Sequence, residues 1–150
     1  MARTKTRTIR LQTFVRASPK KVFKVITQPE RLARWMLDEA TLSPRKGGRY
    51  AFTWEGGPTH TGTVVKFERG KSITLTWQWP GIEDQLVTKL KFSVGRKEDG
   101  TVLKLVHSGF PKDQRWVDLY GGAIQGWTYF LMNLKSVLDH GQDLRSPYDW

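Results

Sequence analysis

Between Asp113 and His140 the apolar residues of this chain recur in steps of three and four: Trp116, Leu119/Tyr120, Ala123/Ile124, Trp127, Phe130/Leu131, Leu134 and Val137/Leu138. That spacing lays one apolar stripe along one side of an α-helix. At 1.5 Å per residue the segment is roughly 40 Å long, well beyond an ordinary globular helix. A helix of this length cannot bury its stripe alone, so the residues upstream must supply a broad apolar surface for it.

They have the pattern to do so. Residues 8–16 alternate Ile9, Leu11, Thr13 and Val15 against Arg10, Gln12, Phe14 and Arg16, as a strand with one wetter face does. Ser18-Pro19 predicts an N-cap followed by proline at the first helical position, opening a short helix over 19–27. Pro29 restarts a second short helix, PERLARWM. Five further strands follow, separated by turn residues. RYAFTWE, after Gly47-Gly48, puts Tyr50, Phe52 and Trp54 on one face. Residues 60–68 form the next strand, after the Gly56-Gly57-Pro58 turn. Residues 72–79 align Ile73, Leu75, Trp77 and Trp79. After Pro80-Gly81 and the acidic Glu83-Asp84, QLVTKLKFSV aligns Leu86, Thr88, Leu90, Phe92 and Val94. A hairpin turn at Lys97–Gly100 leads into TVLKLVHSG, with Leu103, Leu105 and His107 on one face.

Short connections between strands demand a mostly antiparallel sheet. Its aromatic face needs a cover, and only the C-terminal helix is long enough. Large side chains on a curved sheet and on the helix above it leave gaps where they do not mesh, so the arrangement tends to enclose a cavity.

The length, 150 residues, fits a single domain over 1–150, with a short basic arm at 1–7 and a tail at 142–150. The net charge of +11 is regional: residues 1–49 hold 13 Lys/Arg against three acids, and the remainder 12 against 11. This basic third could attract an anionic partner, or could be a solvated outer face. Nothing in it resembles a nucleic-acid-reading motif, which argues against nucleic acid as a partner. No apolar run approaches the ~20 residues of a membrane-spanning helix. There is no cysteine, hence no disulfide or thiolate chemistry, which fits a cytoplasmic protein.

The layout resembles the helix-grip fold of the START and birch-pollen-allergen-like (SRPBCC) superfamily. Within that superfamily it is most similar to the branch named after the C-terminal domain of the heat-shock-protein ATPase activator. Four stretches carry the likeness: ASPKKVFKVITQPERLARWM, GGRYAFTW, TGTVVKFERGKSITLTWQW, and TVLKLVHSGFP running into GWTYFLMNLKSVLDHG. Together they cover roughly Thr8 to Gly141. The resemblance implies an α+β fold: a curved antiparallel sheet of about six to seven strands wrapped on a long C-terminal helix, with two short helices after the first strand. It also implies a pocket between sheet and helix of the kind that holds apolar or aromatic molecules. The activator that names the branch carries a further N-terminal domain that these 150 residues do not contain, so co-chaperone activity does not follow from the name.

Residues expected at such a pocket are Trp35, Tyr50, Phe52, Trp54, Trp77, Trp79, His107, Trp116, Tyr120, Trp127 and Leu131. Each aromatic could equally be bulky core filling. Trp54, Trp77 and Trp127 are preferred as wall residues because they fall nearer the middle of their elements. His107 is expected to be the one inward-facing histidine, either a hydrogen-bond donor or general base, or a core histidine bonded to its neighbours. No carboxylate falls in phase with the inner face of a strand, which argues against paired-carboxylate hydrolysis. His60, His107 and His140 lack metal-ligand spacing, and GGAIQG (121–126) lacks the lysine and preceding strand of a phosphate loop. Those glycines are expected to bend the helix or let it approach the sheet, and so to gate the pocket. Neither a catalytic constellation nor a cofactor or metal is expected. The leading expectation is binding of a small hydrophobic or aromatic molecule by a monomer or homodimer. The alternatives are a cyclase- or hydrolase-type enzyme using His107 and a co-chaperone-like interaction module.

Overall fold

The structure, a computed structural model, describes residues 5–79 and 86–145. The turn expected at Pro80-Gly81, with Glu83-Asp84, and the terminal aromatics Tyr148 and Trp150 lie outside the described residues. Seven strands form one antiparallel sheet in the order β1-β7-β6-β5-β4-β3-β2. They are β1 (Thr6–Val15), β2 (Glu39–Leu42), β3 (Arg49–Thr53), β4 (Thr59–Glu68), β5 (Ser72–Gln78), β6 (Val87–Lys97) and β7 (Gly100–Pro111). Two short helices, α1 (Pro19–Thr27) and α2 (Pro29–Leu32), follow β1, and a long one, α3 (Val117–His140), closes the fold. This is the α+β helix-grip architecture.

Local chemistry explains the boundaries. Ser18 Oγ accepts the Lys21 N–H and Pro19 stands at the first helical position, so α1 begins where its cap requires. α3 starts four residues later than Asp113, because Gln114–Trp116 form a 3₁₀ turn first. Its 24 residues still span about 36 Å. Gly141, at φ +67°, ends it in the left-handed conformation that glycine adopts without strain. PERLARWM is helical only over Pro29–Leu32 and then turns. β2 is an additional edge strand, paired with β3 from Glu39↔Thr53 to Leu42↔Tyr50.

Alternation holds on the inner face. Leu90, Phe92, Leu103, Leu105 and Ile73 are almost completely buried, whereas Lys89, Lys91 and Lys104 on the opposite face are exposed. A register shift between Val64 and Lys66 changes the phase of β4, so that Val64 and Phe67 both face inward, Phe67 packing on Phe23 of α1 at 5.8 Å. Gly62 is needed for close approach: a Cβ there would lie 2.7 Å from the Tyr50 ring and 2.6 Å from Thr76 Oγ1. Tyr50 crosses β4 over this glycine and donates its hydroxyl to the Thr76 carbonyl of β5. Among the described residues no helix is long and apolar enough to cross a membrane.

Candidate ligand-binding cavity

At one end of the sheet the helix and the strands do not mesh, and a cleft of about 1130 Å³ opens between them. Ligand pockets typically run from ~300 to ~1,000 Å³, so the cleft has room for a sizeable molecule. Its inner wall is aromatic: Trp54 just beyond β3, His60 of β4, Trp77 and Trp79 at the end of β5, and Trp127 and Phe130 of α3. Trp77 sits at the centre of this group, 4.7 Å from His60, 5.3 Å from Trp127 and 6.3 Å from Trp54 between ring centroids. The other side is α3, which presents Leu119, Gly122, Ala123 and Gly126. The mouth is formed by Asp38, the Glu55–Pro58 turn, Asp118, and the tail residues Asp143 and Arg145.

The wall indoles are fixed from behind by one hydrogen-bonded chain. Trp127 Nε1–H donates to His107 Nδ1 at 2.9 Å, which places the imidazole proton on Nε2. Nε2–H then donates to Thr88 Oγ1 at 2.6 Å. The same oxygen accepts Trp79 Nε1–H at 3.1 Å, and its own proton goes to the Trp77 carbonyl at 3.3 Å. Trp79 stacks on the His107 ring at 5.9 Å with 9° between planes. Burial pushes the His107 pKa down to about 3, with nearby His60 adding to the effect, so the ring is neutral at physiological pH. Trp54 Nε1–H is held by the Met36 carbonyl at 2.7 Å. By contrast Trp77 Nε1–H, also buried, meets no acceptor among the described residues.

The tail is latched to the mouth. Asn133, fully buried on α3, donates to the Trp35 carbonyl and to Asp143 Oδ1, both at 2.9 Å, and its oxygen accepts the Leu144 N–H. Arg145 pairs with Asp143 at 3.0 Å and donates to the carbonyls of Leu37 (3.1 Å) and Ala33 (2.9 Å). The Arg145 hydrogen bonds, with others from the backbone and Asn133, hold the Asp143 carboxyl down at about 2. Beside this latch Asp38, the residue after Leu37, accepts the Glu55 N–H.

Of the residues expected at a pocket, Trp54, Trp77, Trp79 and Trp127 line this one. The other seven pack outside its lining. Trp35 is fully buried, edge-on to Phe92 at 6.5 Å, with its Nε1–H on the Val25 carbonyl. Tyr50 and Phe52 back Trp77 at 6.2 and 6.1 Å, burial pushing the Tyr50 phenol pKa up. Trp116 lies beneath Arg115 at 4.8 Å; Tyr120, half-buried, meets Phe110 at 5.5 Å; Leu131 is core. His107 has no exposed surface and both nitrogens are engaged, so it has no route to a substrate proton.

Two features differ from the sequence expectation, the second inward histidine and the α3 glycines. His107 is not the one inward-facing histidine: half-buried His60 joins the wall, with its pKa lowered by burial. Its position before the β4 register shift obscured its phase. The carboxylates that line the cavity come from a loop, a turn, the helix and the tail rather than from strands, in keeping with the strand phases. The α3 glycines do not mediate close approach, since a Cβ at Gly121, Gly122 or Gly126 meets nothing within 4 Å, and the helix runs unbroken from Val117 to His140. No trio of His, Asp or Glu among the described residues is arranged to hold a metal ion.

Comparison with known proteins agrees with this architecture. Residues 16–139 match the model of the family described as activator of Hsp90 ATPase homolog 1-like protein. The chain belongs to that family. No curated protein matches it. A crystal structure of a Mesorhizobium loti protein is similar with 28% identity and a TM-score of 0.81, over 91% of this chain and 99% of that one. The Aha1 dimer from Colwellia psychrerythraea gives 21% identity and 0.78, over 91% and 98%. An HSP90 activator from Plasmodium falciparum gives 19% and 0.73, over 87% and 95%. At those last two identities the likeness is one of fold.

Proposed function

We propose that this family member binds a small hydrophobic or aromatic molecule in the cleft between sheet and helix. The observation that carries the reading is the aromatic-walled cavity itself, about 1130 Å³, with Gly122 and Gly126 of α3 leaving its far side open. Indole faces offer large rigid contact area at low conformational cost. Burying ~250 Å² of apolar ligand surface at ~25 cal/mol per Å² supplies about 6 kcal/mol before association costs, enough for micromolar binding without catalytic groups. A chaperone-activating role and a homodimer, named for two of the structural neighbours, rest on fold likeness, whereas the cavity is displayed by this chain.

Native mass spectrometry of the purified protein and displacement of a neutral polarity-sensitive dye, Nile red, test the reading. Micromolar dye binding that quenches tryptophan emission is expected. Absence of both a bound apolar species and a dye site removes the proposal.

A further inference from the structure

The cavity is charged against the grain of the molecule. The chain has 25 basic and 14 acidic residues, yet among the described residues four carboxylates, Asp38, Glu55, Asp118 and Asp143, line the cleft with Arg145 the single basic one. Arg145 is spent on Asp143. Asp38, Glu55 and Asp118 have no basic partner within ion-pair distance among the described residues, and Asp38 and Glu55 are joined by a hydrogen bond at one lip. Beneath these carboxylates lie Trp54, Trp77, Trp79 and Trp127, aromatic rings of the kind whose π-electron density also attracts positive charge.

Building on the cavity reading above, we propose that the ligand is cationic: a planar aromatic molecule carrying a protonated amine or quaternary ammonium, its ring among the indoles and its charge at the carboxylate mouth. The overall charge of +11 does not oppose this. At physiological ionic strength charges beyond about 8 Å are largely screened, so the lip carboxylates outweigh the distant basic residues of the outer sheet face.

Matched pyrenes separate the possibilities: 1-pyrenemethylamine (cation), 1-pyrenemethanol (neutral) and 1-pyrenecarboxylate (anion), titrated by fluorescence into the full chain at 0.15 M salt. Each exposed carboxylate–ammonium pair is good for up to about a fivefold change in affinity. The cation is therefore expected to bind about tenfold more tightly than the anion. Combined Asp38→Asn, Glu55→Gln and Asp118→Asn should bring the two within about twofold. If the anion binds as well as the cation or better, as the net charge alone favours, or if the triple variant keeps the preference, the charge inference is overturned while the cavity reading stands. If none of the three binds, the cavity reading itself falls and this inference with it.

Discussion

Filling the helix side of the cavity separates ligand binding from folding. Gly122 and Gly126 stand one turn apart on α3, both line the cleft, and a Cβ at either meets nothing within 4 Å. Each glycine in a helix interior costs about 0.8–1.0 kcal/mol relative to alanine, and leucine is close to alanine in propensity. Combined Gly122→Leu and Gly126→Leu should thus stabilise the fold by about 1.5–2 kcal/mol, where most substitutions that abolish binding destabilise. For a domain of this size that raises Tm by roughly 3–8 °C. The leucines occupy cleft space on the α3 side, where both glycines line it. Denying a ligand ~60 Å² of apolar contact costs about 1.5 kcal/mol, or tenfold in affinity. Differential scanning fluorimetry reads the first effect and Nile red titration the second. Gly121→Ala is the control: it lies outside the cleft and has open space, so Tm should rise and affinity stay the same. Leucine variants that bind dye as tightly as the parent would refute the siting of the ligand against α3. A fall in Tm would show that these glycines serve packing.

Acid should weaken the fold through His107. Its folded pKa, about 3, lies below the 6.5 of an unperturbed histidine, so the unfolded chain takes up the proton first. The stability of the neutral buried ring is complete above the unfolded value and is lost as pH falls towards the folded one, about 2 kcal/mol by pH 5. Urea unfolding at pH 7.5 and pH 5 should show that loss, and His107→Gln should reduce it, leaving the smaller slope from His60. Thr88→Val strands the buried N–H of His107 at ~1–3 kcal/mol and the half-buried N–H of Trp79 at less, so a stability loss of about 2 kcal/mol is expected in urea melts. An unchanged midpoint would mean that the chain of hydrogen bonds behind the wall contributes nothing. Asn133→Leu removes the link between Trp35, Asp143 and Leu144, and hydrogen exchange at Leu144 and Arg145 should accelerate without loss of the sheet's slow amides.

Sequence patterns transmitted the elements faithfully where a local rule was strong. Ser18-Pro19 marks α1 to the residue, and the alternation in β5 and β6 places Leu75, Trp77, Leu90 and Phe92 inward. β2 escaped notice because four residues with only Ala40 and Leu42 half-buried carry too short a period to register, and the tertiary pairing with β3 creates the strand. Alternation also fixes facing but not depth. Tyr50, Phe52 and Trp54 share a face, yet the first two are core and Trp54, one residue past β3, reaches the cleft. Trp79 does the same just past β5. Two wall tryptophans thus occupy strand ends rather than element middles. The acidic mouth was harder still to see. Asp38, Glu55, Asp118 and Asp143 are far apart in sequence and come together only when the sheet curls under α3.

His107 joins these observations. A histidine on an inward strand face invites a catalytic reading, but the direction of each hydrogen bond argues otherwise. Trp127 can only donate, so Nδ1 must accept, and the proton on Nε2 is committed to Thr88. The ring therefore fastens an indole of α3 to an indole of β5, two walls from opposite layers of the fold, without an ionisable proton to spare. With the N–H groups of Trp54, Trp79 and Trp127 all fixed by protein acceptors, the walls stand in place before any ligand arrives, and binding need not supply the free energy to order them. The exception is Trp77, the central indole, whose N–H is left over after every neighbour is satisfied. Trp77 is held instead by its ring contacts, with Tyr50 and Phe52 behind it and His60 and Trp127 at 4.7 and 5.3 Å, so its place in the wall rests on packing rather than on a hydrogen bond.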